Sequence, residues 1–213
     1  MLGLTIGEKH TAYDFGLRLL TFNVSSPDPV VNEIEIPGMD GNLDLSKTLT
    51  GEVVYKNRTL TAEFLMEEQD ETQLQHRVDN IRNYLHGITH TICPDMDSIY
   101  EYRGRVTVTL APIGVYQAVT VTANVAPYKM KRINTVVEQI VKGESAIICY
   151  NERKSVVPTI TTDADFTLKF NDISVSIAAG ENIVPDIKFL QGENIVTCIG
   201  TGNITFTYQE GSL

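Results

Sequence analysis

The sequence predicts a mainly β protein: an α+β amino-terminal domain of antiparallel sheets covered by one helix, then a carboxy-terminal β-sandwich. Three observations carry that reading. Short runs of strict apolar and polar alternation recur through the first half. A single stretch follows the helical period, and the second half is made of brief β-rich runs cut by turn residues. In "RTLTAEF" Leu60, Ala62 and Phe64 share one face while Thr59, Thr61 and Glu63 share the other. "RVTVTL" places Val106, Val108 and Leu110 inward, and "AVTVTANV" does the same with Val119, Val121, Ala123 and Val125. Such strands have one packed and one wet face, the habit of antiparallel sheets.

The helical stretch is "EEQDETQLQHRVDNIRNYLHG", where Leu74, Val78, Ile81 and Leu85 recur at steps of four, three and four. That stripe predicts an amphipathic helix over about residues 70–86. Asp70 with Gln73 reads as a capping box, acidic residues occupy the first turn where the helix dipole favours them, and Gly87 is a carboxy-terminal stop. One helix in a strand-rich half is expected to cover an open sheet face. After it, the Pro-Asp-Met-Asp-Ser cluster at 94–98 reads as a hairpin turn between two β runs.

Between residues 128 and 145 the alternation fades and Lys129, Lys131, Arg132 and Lys142 gather, so the domains are expected to divide there, as 1–130 and 131–213. The remainder offers seven strand-like runs: "AIICY", "VPTITT", "FTLKF", "ISVSIAA", "ENIVPDIKF", "ENIVTCI" and "NITFTY". With no helical stripe among them, a sandwich is the architecture they predict.

A chain of 213 residues can bury two cores without metal or disulfide support. The formal charge of -10 argues against a nucleic-acid-binding face, because phosphate contact needs clustered Lys and Arg. Ten Lys and Arg stand against seventeen Asp and Glu in residues 1–130, and seven against ten in the rest, so neither half is a basic module. "MLGLTIGEKHTAYDF" lacks a charged start followed by a long apolar run, and no stretch is apolar enough to span a membrane. Cytosolic synthesis and solubility are expected. Cys93, Cys149 and Cys198 are odd in number and far apart, which suits buried free thiols. The Asn-x-Ser/Thr matches at Asn23, Asn57 and Asn203 read as chance Ser- and Thr-rich strand chemistry.

Catalytic and metal motifs find no anchor. No Gly-x-Ser-x-Gly elbow, phosphate-binding loop or dinucleotide fingerprint occurs, so no enzyme, catalytic residue, cofactor or metal is expected. His86 and His90 are four apart, as zinc-binding histidines on a helix are, but Gly87 intervenes and no Glu follows His86. Asp95 and Asp97, flanked by Pro94 and Ser98, read as turn residues in preference to cation ligands. A carbohydrate-binding sandwich serving host-surface attachment is the alternative, although the chain has no Trp to supply a flat stacking platform. A glycan hydrolase is a third reading, since paired carboxylates need no sequence signature.

The order of features says more than any one of them. "IPGMDGNLDLSKTLTGEVVYKNRTLTAEF", a capped helix ending in "LHG", "YEYRGRVTVTL" and a strand closing on "APYK" together resemble the amino-terminal domain of the distal tail protein (Dit) family of siphophages. The second half, with "GENIVPDIKFLQGENIV" and "ITFTYQEGSL", is similar to that family's carboxy-terminal sandwich. By position, Pro37-Gly38 and Asp40-Gly41 match the family's turn, and Tyr55 and Arg58 its following polar pair. Gly104-Arg105 matches its Gly-Arg strand entry and Pro127-Tyr128 its domain-closing pair. The resemblance implies a ring of six copies at the distal end of a long non-contractile tail, a structural baseplate hub and no enzyme. It implies other copies of the chain, the tail tube protein, the tape-measure protein and the tail-tip protein as partners. It also implies a place in the virion of a phage or prophage, with no specific nucleic-acid binding and no membrane insertion. In that setting Pro37 would fix φ and Gly38 and Gly41 would take positive φ, giving the turn a defined exit. Arg58 would either bridge to a carboxylate of its own or the next subunit, or stay solvated at the strand start.

Overall fold

The computed structural model describes residues 2–48, 51–68, 70–113 and 116–213, and the chain divides into two compact units, Met1–Pro127 and Tyr128–Leu213. The first unit contains β1 (Leu4–Ile6), β2 (Lys9–His10), β3 (Leu17–Val24), β4 (Glu33–Glu35), β5 (Asn42–Asp44) and β6 (Arg58–Glu67). It continues through α1 (Glu71–Leu85), β7 (Thr89–Pro94), β8 (Tyr100–Ile113) and β9 (Tyr116–Val125). Seven of these strands form one antiparallel sheet in the order β2-β1-β7-β8-β9-β6-β3, while among the described residues β4 and β5 pair only with each other.

The inward rows are the ones the alternation marks. Leu60, Ala62, Phe64 and Met66 on β6, Val106 and Val108 on β8, and Val119, Val121, Ala123 and Val125 on β9 are buried in one core. Leu110 packs against that core half-buried. Helix α1 closes the core with Val78, Ile81 and Leu85, and Leu74 sits at its margin. Its N-cap is Asp70, whose carboxylate accepts from the Thr72 and Gln73 amides at 2.9 and 3.1 Å. The reciprocal half of the capping box goes to another residue, for the Asp70 amide donates to Glu68. Gly87 ends the helix at φ +77 and donates its amide to the Val106 carbonyl at 2.8 Å. Arg77 then ties the helix to the chain ahead of β3 by donating to the Phe15 carbonyl at 2.8 Å, and the Tyr84 hydroxyl ties it to Ile6 and Glu8.

The Pro-Asp-Met-Asp-Ser turn is a single 3₁₀ turn, Asp95–Asp97, between β7 and β8. Its Asp95 also braces the amino terminus, accepting from the Gly3 amide at 2.8 Å and from His10 Nε2 at 3.0 Å. His86 and His90 are engaged separately. His86 Nδ1 accepts from the Val108 amide, and His90 Nε2 lies 2.9 Å from the Tyr84 carbonyl.

The second unit contains β10 (Lys129–Lys131), β11 (Thr135–Asn151), β12 (Thr159–Thr162), β13 (Phe166–Phe170) and β14 (Ile173–Ile177). β15 (Gly180–Ile183), β16 (Gly192–Tyr208) and β17 (Gly211–Ser212) complete it. β11 and β16 form a 17-residue antiparallel ladder, and the far edge of β16 pairs first with β13 and then with β12. The ladder therefore forks, so the layers of the sandwich are branches of one hydrogen-bonded sheet. Both branches send side chains into a common core that includes Phe166, Leu168, Ile160, Cys198, Ile204 and Phe206.

Three expectations change here. The stretch 128–145 is β10 and the first part of β11, not a linker without periodicity. Its alternation is hidden because Val136 and Ile140 face outward while Val137 and Val141 face inward, so both rows read as mixed. "ENIVTCI" and "NITFTY" are halves of one strand, since β16 runs through Gly200 and Gly202 without ending. Gly200 lies opposite Gly143 in the ladder, and a side chain there would strike the Phe166 ring. In "ENIVPDIKF" the strand stops at Ile183, and buried Ile187 and Phe189 reach the core from a turn closed by Ile187 N to Val184 O at 3.0 Å.

The carboxy-terminal segment is held by a charged clasp. Glu210 is 2% exposed, and its Oε1 accepts from Lys131 Nζ at 2.6 Å and from the Thr135 hydroxyl. Lys131 also lies 3.4 Å from Glu152. Burial works to lower the Lys131 pKa, but the bonds to Glu210 and Glu152 outweigh it and raise the value above the ordinary 10.5. Because the folded value is raised, the stabilisation is complete below the unfolded lysine pKa and is lost as pH rises through the folded one. Lys131→Met strands a buried carboxylate and should cost about 2–4 kcal/mol in urea unfolding at pH 7, the partial exposure of Lys131 tempering the usual penalty. The deficit of the variant should shrink as pH rises through the raised Lys131 pKa, and equal stability at pH 7 would show the clasp to be idle.

Candidate assembly surface

Apart from Tyr55, the first-unit positions matched to the Dit family fall into two places, and Tyr128 opens the second unit. Pro37, Gly38, Asp40 and Gly41 occupy the tip of the β4–β5 hairpin. Met39 N donates to Ile36 O at 3.1 Å, with Pro37 and Gly38 between them and Gly38 at φ +87. This is a type II turn, where Pro presets the first central residue and only glycine takes the second without strain. Gly41 follows at φ +78, so both glycines have the positive φ expected of them.

Arg58, Gly104, Arg105 and Pro127 lie at the other place, the sheet end from which the chain leaves the first unit. Arg58 and Gly104 both pair with Val125, from opposite sides. A side chain on Gly104 would overlap the Asn124 carbonyl, so glycine is required by close backbone approach. Arg105 is a clamp on the helix: its Nη1 donates to the Gly87 carbonyl at 2.6 Å, just past the carboxy-terminal end of α1. Arg58 is not solvated, and among the described residues it is paired with no carboxylate. It is 7% exposed, its guanidinium carbon stands 5.3 Å from the Tyr102 ring centre, and its Nε and Nη2 meet no acceptor. Burial lowers its pKa while Tyr102 opposes that shift. The row of Leu60, Phe64 and Met66 carries Arg58 inward, because strand parity alone decides its face. Tyr55 sits apart from both places, in an isolated bridge to Pro29.

That bridge belongs to an arm, residues 25–59, built outward from β3 and β6. Ser25 N to Thr59 O, Lys56 N to Asp28 O and Val30 N to Val54 O form its stem, and Leu45 N to Asn32 O joins the stem to the hairpin. An Asx turn, Ser46 N to Asp44 Oδ1 at 2.8 Å, fixes the return strand, and the Ser46 bonds lower the Asp44 pKa. Ile34 lies directly opposite Leu43, with Glu33 opposite Asp44 and Glu35 opposite Asn42. The hairpin therefore has an apolar face of Ile34, Ile36 and Leu43 and an acidic face of Glu33, Glu35 and Asp44. The apolar face is bare: Ile34 is 51%, Leu43 41% and Ile36 39% exposed, and no described residue of the arm belongs to the hydrophobic core. Met39, Val31 and Val54 are exposed beside it. The signal for this face is in the sequence as "EIEI", four residues of strict alternation, but the Pro-Gly-Asp turn beside it is the louder feature.

A depression of about 360 Å³ beside α1 is lined by Phe15, Asp14, Arg77 and Asn80, and Lys9 covers the Phe15 and Tyr84 rings at 5.4 and 4.6 Å. Among the described residues no three His, Cys, Asp or Glu side chains converge as a metal site would need, and no helix is long and apolar enough to cross a membrane. Burial pushes the Cys149 and Cys198 thiols up to about 12, which leaves them inert at neutral pH.

The chain, a helix-covered antiparallel sheet with a hairpin arm followed by a second all-β unit, shares its overall fold with a solved phage protein. The solved structure of the SPP1 Dit (gp 19.1) protein, described as a paradigm of the hub adsorption apparatus of phages infecting Gram-positive bacteria, matches the chain with a TM-score of 0.73. The match covers 100% of both chains at 15% sequence identity, so the likeness lies in the fold, and it bears out the resemblance read from the order of motifs. No protein-family model and no characterised protein matches the sequence.

Because a side chain on Gly41 would touch nothing, a substitution there acts through the backbone alone. Gly41→Val should disorder the hairpin at a cost of about 1–2 kcal/mol while leaving the thermal unfolding midpoint of the cores unchanged, since the arm is outside both. Retention of the cross-strand nuclear Overhauser contacts between Ile34 and Leu43 in the variant would show that the turn is ordinary.

Proposed function

We propose that the chain is a structural component of a long non-contractile phage or prophage tail, a distal tail protein whose copies close into a ring of six. The ring joins the tail tube to the tail tip, with the tube, tape-measure and tail-tip proteins as its neighbours at the distal end of the virion. The match to a hub protein over the whole chain supports the role. The single observation that carries it is the arm. An isolated two-stranded hairpin is marginal in water, and this one keeps an aliphatic face exposed where a stable monomer would cover it. A neighbouring copy that receives the arm contributes a surface unlike the arm itself, so the contact is head-to-tail and closes when the rotation divides a full turn. The number six rests on the family resemblance.

Ile34→Asp combined with Leu43→Asp puts charge on the bare face without touching either core. Native mass spectrometry and negative-stain imaging of the full chain, over a wide concentration range, should show rings for the parent and single subunits for the double variant, with equal circular dichroism. Rings that persist in the double variant would remove the arm from the interface. A parent that stays monomeric at every concentration, even with its neighbouring tail proteins added, would overturn the ring.

A further inference from the structure

The second unit carries an edge that nothing in the chain pairs with. β11 is 17 residues long, and among the described residues its only strand partner is β16, on one side. Along its other side, alternate N–H and C=O groups are directed away from the sheet, a template for another strand. The outward side chains are not the polar screen that usually blunts such an edge: Val136, Ile140, Ile148 and Tyr150 are 58%, 67%, 57% and 60% exposed.

We propose that this edge docks a second copy of the same chain, β11 pairing antiparallel with β11 about a twofold axis at Gly143. The charges select the occupant and the register. With the axis at Gly143, Lys142 faces Glu144 of the second copy and Glu144 faces its Lys142, so two opposite-charge pairs flank the axis. The same register sets Ile140 against Ala146 and Val136 against Tyr150, apolar on apolar. The remaining pair, Glu138 with Ile148, adds nothing. An axis at Glu144 would oppose the two glutamates, and one at Lys142 the two lysines, each a repulsive pair. An axis between residues would set the outward row of one strand against the buried row of the other, which the core forbids.

The axis position is also sterically open. Gly143 takes φ +91, and a Cβ built there would meet nothing within 4 Å, so the two backbones approach without side chains between them. Glu144 lies 4.0 Å from Lys169 with both side chains more than half exposed, a pair weak enough to exchange for Lys142 of the second copy. A twofold contact of this kind is closed, so it joins copies two by two and stops. It is independent of the ring: if rings form, it pairs them or pairs subunits between them, and if they do not, it gives a dimer.

The test is the mass of the full-length chain by native mass spectrometry and sedimentation velocity. Glu144→Lys creates two lysine pairs at the axis and should halve the mass of the largest discrete particle, with at least a tenfold rise in the concentration needed to reach it. Adding Lys142→Glu to that variant restores opposite charges with the order reversed and should restore the parental mass. Both positions face solvent, and an unchanged melting temperature in each variant confirms that only association has moved. Equal masses for the parent and Glu144→Lys overturn the proposal, as does a double variant that stays at the halved mass. A parent that never exceeds one copy, yet binds an extended peptide from another protein along β11, assigns the edge to that partner and overturns it equally. Loss of the ring with a surviving factor of two, or the reverse, tells this contact apart from the arm.

Discussion

A two-stranded hairpin has two faces and can bury neither against itself. The arm of residues 25–59 leaves β3 and β6 through a stem of backbone hydrogen bonds and ends in two strands of three residues, far too few to make a core. Ile34, Ile36 and Leu43 therefore stay in water unless another surface meets them. Fully burying three such side chains is worth several kcal/mol, about 1.5–3 for each, enough to offset part of the entropy lost when subunits associate. The tight elements of the arm serve that geometry. Pro37 and Gly38 close the tip, Asp44 and Ser46 fix the return strand, and the acidic face of Glu33, Glu35 and Asp44 keeps the bare hairpin soluble before it is covered.

The rest of the first unit holds that arm in place. Its sheet is covered by one helix of fifteen residues, which is why the helix is anchored at both ends by side chains of unequal kind. Asp70 caps the amino-terminal amides, and Arg105 takes a carbonyl just past the carboxy-terminal end. Arg58 marks the far end of the same inward row. Its buried guanidinium has a ring beneath it and no acceptor at Nε and Nη2, a cost that the packing of β6 between β3 and β9 sustains. In the second unit the comparable constraint is the long β11–β16 ladder, in which Gly143 and Gly200 face each other at the midpoint.

The helix, the inward rows of β6, β8 and β9, and the Pro-Gly turn were legible because each rests on local physics: a period, a cap, a positive φ. The second half was less legible for a related reason. Where both rows of a strand mix apolar and polar residues, as Val136, Val137, Ile140 and Val141 do, period two cancels. Only the partner strand reveals which row is buried. Gly200 and Gly202 look like a turn in sequence and lie within a strand, because fifteen flanking ladder pairs outweigh their turn preference. At the assembly surface the turn residues were visible, but the bare face beside them was not. Exposure is a property of what fails to pack, and "EIEI" reads the same whether its isoleucines are buried or not.

Hydrogen–deuterium exchange of the full chain, compared between dilute and assembled samples, tests the central claim most directly. If the arm is received by a neighbouring copy, amides of residues 33–44 should exchange rapidly at dilution and slow by at least about tenfold on assembly, while core amides of β6 and β9 stay equally protected in both. Assembly that leaves residues 33–44 exchanging at their dilute rate would contradict the account.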